Sequence, residues 1–159
     1  PVSAPKSGVP TLLLLTEEDC TLEDFDIASL DICAGVMLTA SHLRSSRDVS
    51  QKVIGFEATA LRDAATRANI DAVLLRAASP RDLVELAEGA GARQIAMPYV
   101  PNGPLADWIG KARPLLNERG IALTEWQRAW DRLVWPHATA GFFKVKKKIP
   151  EILDSAGLS

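Results

Sequence analysis

Five short apolar runs, separated by longer amphipathic stretches, constrain this 159-residue chain more than any other feature. The runs are continuous rather than alternating, which is typical of strands covered by helices on both faces. They are Thr11–Thr16, Gly35–Ala40, Asp71–Ala77, Arg93–Val100 and Ile121–Thr124. Because strands alternate with helical segments, the pattern predicts βαβ units with right-handed crossovers. We therefore expect a three-layer α/β fold, Rossmann-like or flavodoxin-like, with a five-stranded, mainly parallel, doubly wound sheet.

The apolar positions of these strands predict the core. We expect six side chains to be buried, namely Leu13, Leu15, Val73, Leu75, Ile95 and Met97. Between the strands, apolar residues recur at helical spacing over Ser50–Asn69. Ser79 and Pro80 have the residue types of an N-cap and first helical turn, and Pro104 starts a third helix in the same way. Pro114 is expected to kink or split that third helix.

The chain is expected to have three parts. Residues 1–10 are rich in Pro, Gly and Ser, which predicts a linker, and residues 11–125 form the α/β domain. Residues 126–159 form a C-terminal aromatic-basic extension, which packs on the domain or on a partner domain. Within it we expect a short helix over Glu125–Trp135, an extended segment, and a last helix near Ile149–Ala156.

Charge and composition exclude several classes of protein. The net charge is −2, so the chain as a whole is not a polyanion binder. No apolar run reaches the roughly 18 residues of a membrane helix, and the start has no signal-peptide core. Cys20 and Cys33 have neither metal-ligand spacing nor a CxxC pattern. A chain with an otherwise normal core needs no disulfide framework, which predicts a reducing, cytoplasmic location.

The segment after the first strand is acidic. Between Thr16 and Asp31 there are seven acids and no base, and no glycine-rich phosphate motif is present. The negative charge of these side chains repels phosphate groups, so ordinary dinucleotide binding is not expected. Two interpretations stay open: a solvated acidic loop, or a site for a cation or a basic partner surface.

No complete catalytic motif is present. Ser41 and His42 follow the second strand, at the edge where α/β domains bind ligands, and His137 lies near the C-terminus. Neither histidine has the partners of a catalytic triad. Cys20 follows three acids, which raise rather than lower a thiol pKa. We therefore predict no catalytic residue and no metal site.

The C-terminal part is unusual because aromatic and basic residues are interleaved. Residues 126–159 hold six basic and three acidic side chains. The candidate interface residues are Trp126, Trp130, Trp135, Phe142, Phe143, Lys144 and Lys146. Three interpretations stay open: packing over the sheet edge, docking to another domain with aromatic anchors, or stacking on single-stranded nucleic acid.

Over roughly Thr11–Ile149 the chain resembles the α/β, antenna-type domain of the DNA photolyase and cryptochrome family. Asp19, Leu22 and Asp24 match the family's F-R-R-D-L-R-L-x-D stretch after the first strand, with acids in place of its paired arginines. The segment SPRDLVELAEGAGA, from Ser79, is similar to the family's helix x-P-x-x-V-L-x-x-L-A-x-x-x-G-A. The segment ATAGFFK, from Ala138, resembles the family's exit from this domain.

The resemblance implies an accessory domain rather than a catalyst. In that family FAD and the repair chemistry belong to a separate helical domain, and the α/β domain holds a folate or deazaflavin antenna. Met97–Asn102 lacks the Asn and Tyr-Glu pattern that holds the folate, so no chromophore ligand is carried over. We expect this chain alone to bind no flavin and to have no photolyase activity.

The resemblance implies a flavin-binding domain of the same parent protein as partner, and DNA through that parent. The linker-like start and the polar end of the chain are expected to place that domain upstream, which reverses the family's usual order. The aromatic segment is also expected to allow a second copy of the isolated domain to bind, and no membrane partner is expected. The alternative function is a stand-alone nucleotide- or small-molecule-binding α/β domain, and a weaker one is a hydrolase with an unrecognised site.

Overall fold

The computed structural model describes residues 3–158. The strands are β1 (Pro10–Thr16), β2 (Asp31–Thr39), β3 (Ala72–Arg76), β4 (Gln94–Pro98) and β5 (Ala122–Trp126). The helices are α1 (Gln51–Arg67), α2 (Pro80–Gly89), α3 (Pro104–Glu118), α4 (Ala129–Val134) and α5 (Phe142–Ser155). Short 3₁₀ turns lie at Leu22–Asp24, Ile27–Ser29, Ser41–Arg44 and Trp135–His137.

All five strands are parallel and lie in the order β3-β2-β1-β4-β5. The predicted α/β fold is therefore confirmed. The strand order reverses between β1 and β4, and that reversal places the crossovers on opposite faces of the sheet. The connection from β1 to β2 holds two 3₁₀ turns in place of a helix.

The core has two layers because successive strand residues point to opposite faces. On one face Leu13, Leu15 and Met37 pack with residues of α1, including Leu61 and Ala64. On the other face the neighbouring strand residues pack with α2 and α3. That larger layer includes Leu12, Leu14, Val36, Leu38, Leu83, Ala87, Trp108 and Ile109.

The exposed edge of the sheet differs from the prediction. Leu13, Leu15, Ile95 and Met97 are buried as predicted, but Val73 is 54% exposed and Leu75 is only partly buried. The reason is the position of β3 at the end of the sheet. Helix α2 leaves β3 and crosses to β4, so it covers the middle of the sheet rather than the edge.

Gly35 allows β2 and β3 to approach closely. A Cβ atom at this position would lie 2.6 Å from the carbonyl oxygen of Asp71 and 2.9 Å from the Cβ of Ala72. Backbone cannot yield as a flexible side chain does, so a larger residue would push the start of β3 away from β2.

Two helices differ from their predicted bounds. Helix α3 starts at Pro104 as predicted, but it continues through Pro114 to Glu118 without a break. Its buried residues on both sides of the proline, Ile109 and Leu116 among them, hold it against the sheet. Helix α5 starts at Phe142, several residues before the predicted start, because Gly141 adopts the positive φ that ends the preceding turn.

The N-terminal residues that were expected to be a linker make hydrogen bonds with the sheet. The carbonyl oxygen of Ser3 accepts from the backbone N–H of Glu125 at 2.9 Å, on the outer side of β5. The backbone N–H of Lys6 donates to Gln94 Oε1 at 3.1 Å, and Gln94 Nε2 donates back to the Lys6 carbonyl at 2.7 Å. The chain forms two compact units, of which one ends at Trp126 and the other begins at Gln127.

Candidate functional site

The carboxyl ends of the five parallel strands meet at one edge of the sheet, which is where ligands bind in α/β folds. The acidic segment after β1 and the turn Ser41–Arg44 after β2 lie there. Helix α1 starts soon after that turn, at Gln51, with Ser50 as its N-cap.

Glu57 on α1 organises this edge. Its carboxylate is buried and accepts from the backbone N–H groups of Ala40 and Ser41 at 2.5 and 3.0 Å. The Ser41 hydroxyl donates to its other oxygen at 2.5 Å. The carboxylate therefore occupies the backbone donors that an anionic ligand would need at the end of β2. Sequence reasoning missed Glu57, because only the packing of α1 brings it to β2.

Arg44 joins the same edge to the acidic segment. Its Nη2 lies 3.2 Å from Glu17 Oε1 and 2.6 Å from Glu18 Oε1. Burial, with smaller contributions from the nearby Glu57 and Glu18, raises the pKa of the Glu17 carboxyl to about 7. A backbone hydrogen bond and Arg44 act in the opposite direction. The acidic segment is thus partly folded into the protein rather than fully solvated.

The raised pKa of Glu17 predicts a pH effect on stability. Its pKa is about 7 in the folded state against 4.5 for the free side chain, so the folded state binds the proton more tightly. Wild-type stability should therefore fall as pH rises from 4.5 to about 7, and Glu17→Gln should abolish that fall. Urea unfolding across this pH range measures it. Glu118→Gln, on exposed α3 surface, controls for the loss of one carboxylate. A Glu17→Gln curve that stays parallel to wild type would contradict the prediction.

The histidines and cysteines do not form a catalytic group in the described residues. The ring Nε2 of His42 lies 3.0 Å from the carbonyl oxygen of Ala77, and His137 lies in a 3₁₀ turn of the other unit. Burial, followed by Asp19, raises the pKa of the Cys20 thiol, as the acidic neighbours predicted. Within residues 3–158, no three His, Cys, Asp or Glu side chains are placed to hold a metal ion.

The predicted interface residue Trp126 lies on β5, in the α/β unit. Its ring stacks on Phe25 with centroids 5.2 Å apart and an interplanar angle of 15°. It also packs against the core layer beneath α1. The predicted helix over Glu125–Trp135 is therefore wrong at its start, because β5 runs to Trp126 and α4 begins at Ala129.

The other six predicted interface residues lie in the C-terminal unit. Four large aromatic side chains there are exposed: Trp130 by 48%, Trp135 by 38%, Phe142 by 65% and Phe143 by 75%. The rings of Phe142 and Phe143 meet edge to face, with centroids 5.8 Å apart. We call Trp130, Trp135, Phe142 and Phe143 the aromatic patch.

Helix α5 is amphipathic and basic. Val145, Ile149 and Ile152 recur at helical spacing, and Ile152 is 4% exposed. The lysines 144, 146, 147 and 148 are exposed, and Lys148 pairs with Glu151 at 2.6 Å. Exposed aromatic rings at the start of the helix are thus followed at once by a run of positive charge.

Comparison with known proteins assigns no family to this chain. No protein-family model and no curated protein matches this chain. The resemblance to the photolyase and cryptochrome family stays a prediction that rests on the residues quoted above. In the part of the chain from residue 3 to residue 158, no helix has the length and apolar character needed to span a bilayer.

Proposed function

We propose that this chain is an accessory α/β domain that docks to another protein domain through its C-terminal unit and is not catalytic alone. The single observation that carries the proposal is the aromatic patch, in which Phe142 and Phe143 are 65% and 75% exposed. The Phe142 and Phe143 rings also contact each other, and exposed large apolar side chains that lie together mark interaction sites in soluble domains. Aromatic side chains are also the usual anchors of protein interfaces.

The carboxyl edge of the sheet supports docking over nucleotide binding. Glu57 already accepts from the backbone donors at the end of β2, and Glu17 and Glu18 add negative charge beside them. A nucleotide phosphate would have to displace one carboxylate and approach two others. This geometry therefore disfavours the nucleotide-binding form of the alternative, which is a stand-alone nucleotide- or small-molecule-binding domain.

The resemblance to photolyases and cryptochromes supplies the partner of this proposal, a helical domain that binds FAD. In that arrangement the α/β domain stabilises the parent protein, and the flavin and any contact with DNA belong to the partner. A five-stranded parallel sheet with helices on both faces is consistent with the antenna-type domain, although many unrelated proteins share this fold.

Nucleic acid is the second candidate partner, because exposed aromatic rings stand beside exposed lysines on α5. The two partners differ in what they require. Docking depends on the aromatic anchors and little on charges at the rim. Nucleic-acid binding weakens with each lysine removed and falls steeply with salt.

The test reads the parent gene upstream of this chain and titrates the chain against the flavin-binding domain that the proposal expects there. We expect Phe143→Ala and Trp130→Ala each to weaken binding about tenfold, which is roughly 1.4 kcal/mol. Lys146→Ala should change it less than about threefold. Phe56→Ala is the matched control, because Phe56 on α1 is 76% exposed and lies outside the C-terminal unit.

Three outcomes would contradict the proposal. The first is the lack of any flavin-binding region upstream. The second is an equal loss for Phe56→Ala and Phe143→Ala, which would show that the aromatic patch is not special. The third is salt-sensitive binding of single-stranded DNA that Lys146→Ala weakens, with no binding of the flavin domain.

A further inference from the structure

An apolar groove runs along the β3 end of the sheet, on the face that packs with α2. One cleft of about 640 Å³ is lined by residues that include Leu12, Ala34, Val36, Val73, Leu86 and Ala90. A second cleft of about 520 Å³ continues it and shares Val73, Glu85 and Leu86. The groove exists because α2 crosses toward β4 and leaves the outer strands uncovered.

The backbone of β3 is open along this groove. The Leu75 carbonyl accepts from Thr39 Oγ1, and the Ala77 N–H donates to the Thr39 carbonyl, so these positions face β2. Strand geometry then directs the N–H and C=O groups of Ala72 and Leu74 outward. The other edge of the sheet is different, since Ser3 pairs with the outer side of β5 there.

The side chains at this open edge are apolar on both faces. Val73 is 54% exposed and Leu74 is 46% exposed. Proteins usually protect an edge strand with a proline, a central charge or a covering segment. In β3, with the sequence AVLLR, the only charge is at the last position.

The groove is negatively charged at its rim. Asp71 and Glu85 line the larger cleft, and Asp82 joins Glu85 in the smaller one. Among the described residues that line the two clefts, none is lysine or arginine. An occupant with positive charge would therefore meet three carboxylates in the clefts and no cation among the described residues that line them.

The groove's position distinguishes it from a small-molecule site. The larger cleft is lined by the first half of β2, by Leu12 near the start of β1, and by the loop before β3. It thus lies toward the amino ends of the strands, away from the edge where α/β domains bind small ligands. An open edge strand beside a long groove is the arrangement by which proteins bind extended peptides.

We propose that β3 is a second docking site, which binds an extended segment of a protein partner in which the residues facing the groove, every second one along the segment, are alternately apolar and basic. The segment adds to β3 as a sixth strand through the N–H and C=O groups of Ala72 and Leu74. Its apolar side chains lie against Val73 and Leu86, and its lysine or arginine side chains lie near Asp71 and Glu85. This proposal does not depend on the aromatic patch or on the flavin-binding partner.

The test measures fluorescence anisotropy of a short labelled peptide with valine and lysine at alternate positions and threonines between them. We expect it to bind the wild-type chain and to bind Val73→Lys at least about tenfold more weakly. Val53→Lys is the matched control, since Val53 is 47% exposed on α1 and should leave affinity unchanged. Leu74→Pro removes one outward N–H, a change that edge strands tolerate, and should also weaken binding.

Four other results would overturn the proposal. One is equal affinity for a matched peptide with glutamate in place of lysine. Others are no binding of either peptide, or equal losses for Val73→Lys and Val53→Lys while circular dichroism shows both variants folded. Sedimentation tests for a fourth result. A wild-type dimer that Val73→Lys converts to a monomer would show that the occupant of β3 is a second copy of the chain.

Discussion

Leu38→Ala is expected to lower the free energy of unfolding by about 2–5 kcal/mol, the range for truncating a buried leucine. Leu38 is 0% exposed and lies on β2, in the core layer shared with α2 and α3. That layer is built from strand residues and from helices α2 and α3, so the structure cannot collapse fully into the cavity left behind. Urea unfolding followed by circular dichroism measures the loss.

Leu74→Ala is the control for this prediction. It removes the same atoms from the adjacent strand, but Leu74 is 46% exposed at the sheet edge. Its cost should be clearly smaller than that of Leu38→Ala, because nearly half of its surface stays in water when folded and its removal leaves no enclosed cavity. Equal losses for the two variants would mean that the edge is covered in solution, for example by a partner strand on β3.

This contrast also shows how far the sequence predicts the fold. Continuous apolar runs identify strands, and Leu38 and Leu74 belong to two such runs. The runs do not specify which strand ends the sheet, because strand order depends on contacts between distant segments. For that reason Val73 was predicted to be buried, although it is 54% exposed.

Local signals and long-range packing also compete within single helices. Pro104 and Gly103 set the start of α3 locally, and the prediction there is confirmed. Pro114 removes one helical hydrogen bond, yet α3 continues through it because buried residues on either side hold it to the sheet. Packing against the sheet therefore outweighs the local effect of Pro114.

The residues of the candidate site also differ in whether the sequence alone can identify them. The aromatic and basic residues of the C-terminal unit could be named from the sequence, because interleaving of these types is visible without a fold. Glu57 could not be named, since it looks like one polar residue on an amphipathic helix. Its role appears only when α1 packs on β2 and buries its carboxylate against Ala40 and Ser41.

Glu57→Ala is expected to lower the free energy of unfolding by about 2–4 kcal/mol. The change removes the acceptor of three hydrogen bonds and leaves the buried N–H of Ala40 without its partner. An unsatisfied buried donor costs about 1–3 kcal/mol, and bonds to a charged acceptor are stronger than neutral ones. The three bonds share one carboxylate, so their contributions do not simply add.

Glu57→Gln separates hydrogen bonding from charge. Its amide oxygen can accept from the N–H groups of Ala40 and Ser41, as Oε1 does now, and its amide nitrogen can donate to the Ser41 hydroxyl. We expect it to retain most of the stability that Glu57→Ala loses. It also removes a negative charge near Glu17, so the pKa of Glu17, raised mainly by burial, should move down from about 7.

The stability of the two Glu57 variants and the pKa of Glu17 together distinguish the hydrogen-bonding role of Glu57 from its electrostatic role. Urea unfolding of both variants gives the first, and NMR titration of the Glu17 carboxyl carbon gives the second. If Glu57→Gln is as unstable as Glu57→Ala, the charge rather than the hydrogen-bond geometry stabilises the end of β2. If the pKa of Glu17 is the same in Glu57→Gln and wild type, the two carboxyls do not interact, and burial together with Glu18 raises that pKa.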